Sequence, residues 1–446
     1  MKPDVPHLLF INPWIHDFAA YDFWAKPLGL LSLAAVCRQH GFSVSYLDCL
    51  NRHHARAAEA DLEARYGRGP YLKTPIPKPK GLEDVGRTFS RYGILPVWFE
   101  EDLRQIRRPD VILIGSLMTY WYTGVMETVA VIRRVFPNTP IILGGIYATL
   151  CGEHAGRLPD IDRIFSGPGE TGVLVLLEDM TGHGESLRFD PNDLDTYPLP
   201  AYDLQTKVDY IPILTSRGCP FSCAYCASSL LMPKRMRRSA HGVIEEIRFW
   251  HSKYRVRDFV LYDDAFLVDS QRHAAPFLES IIQTGIKIRF HTPNALHIRG
   301  ITEETANLLF RAGFKTLRLG LETVAEGERE PLDLKVEYSE FQKAVRWLLK
   351  AGFAADQVGA YLLAGLPGQS LDEVAESIRV VKHTGITPIP AYYSPIPHTE
   401  LWATAKTASR YDLESDPLFT NNAIFPCQKD PFSWETIHTL KQLVAG

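Results

Sequence analysis

The chain has 446 residues, about three times the ~150-residue prior for one domain, which excludes a single small module and predicts two or three domains. Hydrophobic residues make up 46% and charged residues 22%, too apolar a balance for a disordered chain. With 48 Lys and Arg against 52 Asp and Glu the formal charge is −4, so no global basic field draws the protein to nucleic acid or an anionic membrane, and no nucleic-acid partner is expected.

The first apolar run is too short for a signal-peptide core, and none later reaches the ~18 residues of a membrane span. A cytoplasmic protein without a membrane span is expected. From residue 8 the pattern is a short strand (LLFINP), an aromatic loop (WIHDFAAYDFW) and an apolar helical run (PLGLLSLAAVCRQH), with Pro27 at its first turn and Gly41 just past its end. The strand SVSYLD follows, then DVILIGSL, a helix ending near Phe136, PIILGGIYATL and DRIFSGPGE. Strands alternating with helices predict a doubly wound, Rossmann-like parallel sheet over residues 1–181, whose ligands bind outside the carboxyl ends of the strands. Residues 51–108 break the rhythm with a Pro- and Lys-rich piece (PYLKTPIPKPKGLEDVGRTFSRYG) and read as a lid or capping insertion. Residues 182–207, with DPNDLDTYPLPAYD, read as a linker.

A second βα series occupies residues 208–400: IPILTS, DFVLYDD, KIRFHTP, KTLRLGLE, QVGAYLLAG and PIPAYYSPIP, separated by helical stretches. Six such repeats fall short of the eight in a full barrel and predict a partial (βα)6 barrel of TIM type. Residues 401–446 form a short extension with a terminal helix, SWETIHTLKQLVA.

Seven cysteines are sparse for this length, and three, Cys219, Cys223 and Cys226, crowd into eight positions. That suits a metal site in a reducing compartment better than a disulfide framework. Their CxxxCxxC spacing in TSRGCPFSCAYCASS directly follows the first barrel strand, where barrel chemistry is housed. Zinc sites usually draw four ligands from paired motifs, and no second pair lies nearby. Three thiolates from one loop suit a 4Fe-4S cluster with one iron left open.

On these residues, with Tyr225 before the last cysteine, the sequence resembles the radical S-adenosylmethionine (SAM) superfamily. The resemblance implies that the open iron is chelated by SAM, that one electron from an external reductant such as flavodoxin or ferredoxin cleaves it, and that the resulting 5′-deoxyadenosyl radical abstracts hydrogen from substrate. It makes Asp263 and Asp264 of YDDAF candidates for the methionine amino group, although the family's GGE motif is absent. It places Asn294 and Arg299 of FHTPNALHIRG near SAM, Glu322 at its ribose or methionine part, and Gly365, Leu366 and Pro367 around the adenine.

The amino-terminal motifs resemble the cobalamin-binding domain of one branch of that superfamily. This implies a corrinoid at the sheet's carboxyl edge, contacted by Ser116, Thr119, Gly144, Gly145, Tyr147 and Gly167. The DxHxxG motif of classical cobalamin domains is absent, and the aromatic residues Tyr71, Trp98, Phe99, Tyr120, Trp121 and Tyr122 compete for the same space. His16, His53 and His54 read as ordinary histidines, and the basic run KRMRRS (residues 234–239) as a solvated face. The function expected is a cobalamin-dependent methylase of an unactivated carbon. The alternative is a radical SAM cyclase, rearrangement or oxidation enzyme whose amino-terminal domain binds no cobalamin. A small molecule, a lipid or a peptide are all open as substrate. An iron–sulfur electron-transfer protein does not account for carboxylates on the neighbouring strands.

Overall fold

A computed structural model of the protein describes residues 5–57, 66–324, 336–428 and 434–445. The chain divides into two compact units, Met1–Asp209 with Ser415–Leu418, and Tyr210–Glu414 with Phe419–Gly446. No helix among the described residues is long and apolar enough to cross a membrane.

The first unit is built on a five-stranded sheet of β1 (His7–Asn12), β3 (Ser43–Asp48), β6 (Val111–Ile114), β7 (Ile141–Leu143) and β8 (Arg163–Ile164). Its order is β3-β1-β6-β7-β8, and every pairing is parallel. This is the doubly wound fold expected from the sequence. The order reverses between β1 and β6, which opens a crevice at their carboxyl ends. Helices Leu28–Gln39 and Gly169–Thr181 cover one face, burying Leu8, Phe10, Ala34, Cys37, Leu113 and Leu177 together. Gly41, at φ 84°, provides the left-handed turn that ends the first of these helices.

Within residues 51–108 the structure shows elements the periodicity did not reveal. β2 (Ile15–Asp17), in the stretch expected to be an aromatic loop, pairs antiparallel with β5 (Ser90–Tyr92), which also pairs with β4 (Lys73–Pro75). A helix follows, Pro96–Gln105, and Phe99 lies edge-on to Trp14 at 5.2 Å. Strands of three residues are too short to carry a readable alternation. Residues 182–207, expected as a linker, instead pack on the first unit, where Phe189, Leu194, Ala201 and Tyr202 are buried.

The second unit is a six-stranded parallel sheet: β9 (Tyr210–Ile213), β12 (Asp258–Leu261), β13 (Arg289–His291), β14 (Phe314–Glu322), β15 (Val358–Ala364) and β16 (Thr387–Tyr392), neighbours in chain order. The intervening helices make it the partial barrel that was expected. A two-stranded hairpin, β10 (Ser216–Arg217) with β11 (Met236–Arg237), follows β9 and brackets the cysteine loop. Capping boxes at Thr302 and Ser370 start two helices. Gly285 and Gly352, both in the left-handed region, end two others.

Gly124 in the helix Tyr122–Val135 tests the packing of that helix on the chain entering β2: a Cβ there would stand 2.0 Å from the carbonyl oxygen of Trp14. Alanine is the better helix former by about 1 kcal/mol, yet Gly124→Ala is expected to destabilise the first unit by about 1–3 kcal/mol, because backbone must move. The urea midpoint of the variant checks this.

Candidate functional site

The cysteine loop starts where β9 gives way to the hairpin. Gly218, at φ 79°, lets the chain pass beneath the returning strand, since a Cβ there would lie 3.1 Å from the Met232 carbonyl oxygen. Cys226 N–H donates to the Cys223 carbonyl at 2.9 Å, closing a tight turn, and Ser228 N–H points at Cys226 Sγ at 3.4 Å. The three thiols are half-buried and form no disulfide. Burial pushes the Cys219 thiol up and that of Cys223 to about 12, and the charge of Cys226 raises both. Among the described residues no three His, Cys, Asp or Glu side chains converge closely enough to hold a single metal ion. Three thiols from one loop, with no fourth ligand pair in the motif, fit a cluster that keeps one iron open.

Around the loop stand the ends of β12, β13, β14 and β15. Glu322 closes β14 with a left-handed φ of 69°. Its Oε2 is buried without a partner, while Tyr225 hydrogen-bonds the carboxylate and burial raises its pKa to about 7. A buried acceptor with nothing to accept from marks a place for a ligand's donor. Asp264 is half-buried, held by Ser228 and raised by burial, and its charge reaches Cys219. Asn294 is exposed and donates to the Tyr262 carbonyl at 2.9 Å. The Gly365–Leu366–Pro367 turn is fixed by Gln369, whose Oε1 accepts from Gly365 N–H at 2.8 Å and Leu366 N–H at 3.3 Å.

Two residues expected near SAM have protein partners of their own. Arg299, after a short 3-10 turn, pairs with Glu340 at 3.1 Å on an exposed surface. Asp263 is buried and accepts from Thr215 and Ser216. Two residues the motifs missed, Arg318 and Tyr361, hydrogen-bond one another, and Tyr361 also donates to the Pro293 carbonyl at 2.7 Å. Strand period was the available signal, because Arg318, Gly320 and Glu322 alternate along β14 and so share one face.

At the carboxyl edge of the first unit, Gly144, Gly145 and Gly167 present no side chains, and Leu117 and Met118 after β6 are 47% and 37% exposed. Ser116 donates to the Gly144 carbonyl at 2.6 Å and Thr119 is buried. Tyr147, expected as a contact, is fully buried with its hydroxyl 2.7 Å from His154 Nδ1. The crowding aromatics are accounted for by packing: Tyr71 and Phe99 are buried, Trp121 Nε1 donates to Asp17 at 2.6 Å, and Tyr122 donates to Asp416 at 3.0 Å. His16 is paired with Glu127 at 2.7 Å, His53 with Asp209, and His54 with Asp102 at 3.2 Å.

A three-thiol loop at the carboxyl end of a partial parallel barrel, ringed by buried carboxylates, defines an iron–sulfur enzyme. Residues 213–381 match the family model described as the Radical SAM superfamily. A protein of Pyrococcus horikoshii named as an uncharacterized methyltransferase is 28% identical over 343 residues, covering 70% of this chain and 72% of its own. Cytidylyl-2-hydroxyethylphosphonate methyltransferase of Streptomyces wedmorensis is 22% identical, covering 88% of this chain and 80% of its own. The radical SAM methyltransferase TsrM from Kitasatospora setae, solved with cobalamin and a 4Fe-4S cluster bound, superposes with a TM-score of 0.63 at 16% identity, covering 92% of this chain and 76% of that one. Residues 213–381 thus carry a radical SAM domain, which implies a 4Fe-4S cluster and SAM as cofactors.

Glu322 carries a pH signature in the cofactor-free protein. Its pKa rises from 4.5 to about 7 on folding, so the stability it contributes is fully present below about pH 4.5 and is lost as pH rises through about 7. Glu322→Gln is therefore expected to match the wild type at pH 4.5 and to exceed it at pH 8 by up to ~3 kcal/mol, read as urea midpoints at the two pH values.

Proposed function

We propose that the protein is a cobalamin-dependent radical SAM methylase acting on an unactivated carbon. The observation that carries this reading is one chain holding both a three-thiol barrel loop and a parallel sheet whose switch-point edge is reduced to glycine and exposed apolar side chains. The methyltransferase names of both relatives support it. When bound, the cluster, SAM and a corrinoid supply one-electron cleavage of SAM and a transferable methyl group.

In this assignment Cys219, Cys223 and Cys226 hold the cluster. Asp264 and Glu322 receive the hydrogen-bond donors of SAM, one through a carboxylate beside Cys219 and the other through the unpartnered Oε2. The Asn294 carbonyl oxygen adds a third acceptor. Tyr225, packed beside Leu363 and Leu366, orients Glu322 by its hydrogen bond. The Gly365–Pro367 turn shapes the wall for the adenine. In the first unit Gly144, Gly145 and Gly167, with Leu117 and Met118, form the floor for the corrinoid, while Ser116 and Thr119 brace it. A small-molecule substrate and an external one-electron donor complete the reaction.

The test is iron and corrinoid content of protein purified without oxygen from cobalamin-fed cells, followed by product analysis with SAM and a reductant. Iron with about one corrinoid per chain, and both S-adenosylhomocysteine and 5′-deoxyadenosine as products, are expected. Iron without corrinoid would overturn the methylase reading and favour cyclisation, rearrangement or oxidation. Changing Cys219, Cys223 or Cys226 to Ala is expected to abolish iron retention and 5′-deoxyadenosine formation; a variant retaining both would remove the cluster assignment.

A further inference from the structure

We propose that Asp263 is not a cofactor ligand but the positioning residue that fixes the cluster loop, and that it ties Cys219 to the SAM-facing groups Asp264 and Asn294. This rests on the radical SAM reading and adds to it a residue whose effect travels through its neighbours.

The argument begins with donor counting. An ionised carboxylate offers about four lone-pair directions. Asp263 Oδ2 accepts from Thr215 N–H at 3.0 Å, and Oδ1 accepts from the Thr215 hydroxyl at 2.6 Å and the Ser216 hydroxyl at 2.7 Å. Ser216 N–H supplies a further bond. All the acceptor directions are occupied, and the side chain is 3% exposed. An ammonium group of SAM finds no free acceptor there. Asp264, by contrast, has Ser228 as its hydrogen-bonding partner and stands within the field of Cys219.

What the four bonds hold is the root of the cysteine loop. Ser216 is three residues before Cys219, with Arg217 and the glycine turn Gly218 between them. Ser216 is also paired with Arg237 across the hairpin, and the Thr215 carbonyl accepts from Arg238 N–H at 2.8 Å. The Thr215 hydroxyl, its hydrogen directed at Asp263, accepts from His273 Nε2 at 2.7 Å, which sets that histidine's tautomer. On the other side, the backbone that carries Asp263 is held by Asn294 Nδ2, 2.9 Å from the Tyr262 carbonyl and 3.4 Å from that of Asp263. One buried carboxylate thus sets the distance between the first thiol and the turn that carries the SAM-facing polar groups.

Asp263→Asn is isosteric but turns an NH2 group onto the Thr215 and Ser216 donors. With the wild type loaded in parallel, the variant is expected to keep its iron, to show a shifted or broadened electron paramagnetic resonance signal of the reduced cluster, and to cleave SAM about 100-fold more slowly. Thr215→Val should show the same signal change in weaker form, and Thr215→Ser, which keeps the hydroxyl, should restore the wild-type signal. If Asp263→Asn does not fold, the Thr215 pair decides by the same readout. An unchanged signal and rate in Asp263→Asn and Thr215→Val would overturn the proposal. So would an unchanged cluster signal with only a weaker SAM affinity, which would make Asp263 a ligand. A wild-type protein that takes up no cluster would instead sink the radical SAM reading itself.

Discussion

Burial without compensating charge is the constraint on which the barrel site depends. Cys219, Cys223, Asp264 and Glu322 are all pushed toward their protonated forms by desolvation. The Arg235 guanidinium, whose charge reaches Cys219, is itself lowered by burial and by Arg237. The protein alone therefore disfavours the charged forms of these thiols and carboxyls, a cost that cationic partners offset. An iron–sulfur cluster and the ammonium and sulfonium of SAM are such groups, and loading them exchanges protons for metal and cofactor.

Rigid walls are needed if such a site is to keep its shape. Deeper in the barrel, Asp258 forms a bidentate pair with Arg289 at 2.7 and 2.5 Å and accepts from His291 at 2.9 Å. His291 in turn meets the Thr316 hydroxyl at 3.1 Å. Burial alone would raise the Asp258 pKa, but hydrogen bonds from His291 and Arg289 hold it below the usual carboxylate range. Removing one member would leave a buried charge uncompensated, which is strongly destabilising. The outward faces of the same strands pack Phe259, Phe290 and Phe314 against one another and Phe277 of the covering helix. Polar inside and aromatic outside, β12, β13 and β14 are braced from both faces before β14 reaches Glu322.

The strands of both sheets were legible because parallel strands covered on both faces read as apolar runs, as in VILI of β6 and DFVL of β12. The cysteine loop was legible from spacing alone. Side-chain direction was not. Arg299 and Asn294 are five positions apart in one motif, yet the 3-10 turn Ile298–Gly300 sends the arginine outward to Glu340. Asp263 and Asp264 are adjacent and chemically identical, and only the hydroxyls of Thr215 and Ser216, nearly fifty residues earlier, decide which is occupied. Such long-range pairings leave no local trace in one sequence. The three short strands around residues 51–108 were hidden for the opposite reason, being too brief to show any period.

The glycines at the carboxyl edge of the first sheet serve different ends, and the difference bears on what the edge can bind. At Gly145 a Cβ would collide with the Ser116 carbonyl oxygen at 2.3 Å, so its glycine is a packing requirement between β6 and β7. At Gly167 nothing lies within 4 Å of such a Cβ, and only its φ of 89° calls for glycine. The space above Gly167 is therefore open, and Leu117 and Met118 after β6 are exposed. Ser116 is committed to the Gly144 carbonyl and His16 to Glu127, so neither projects a ligand from this floor. The two exposed apolar side chains and the open Gly167 leave room at this edge for a ligand held by apolar contact.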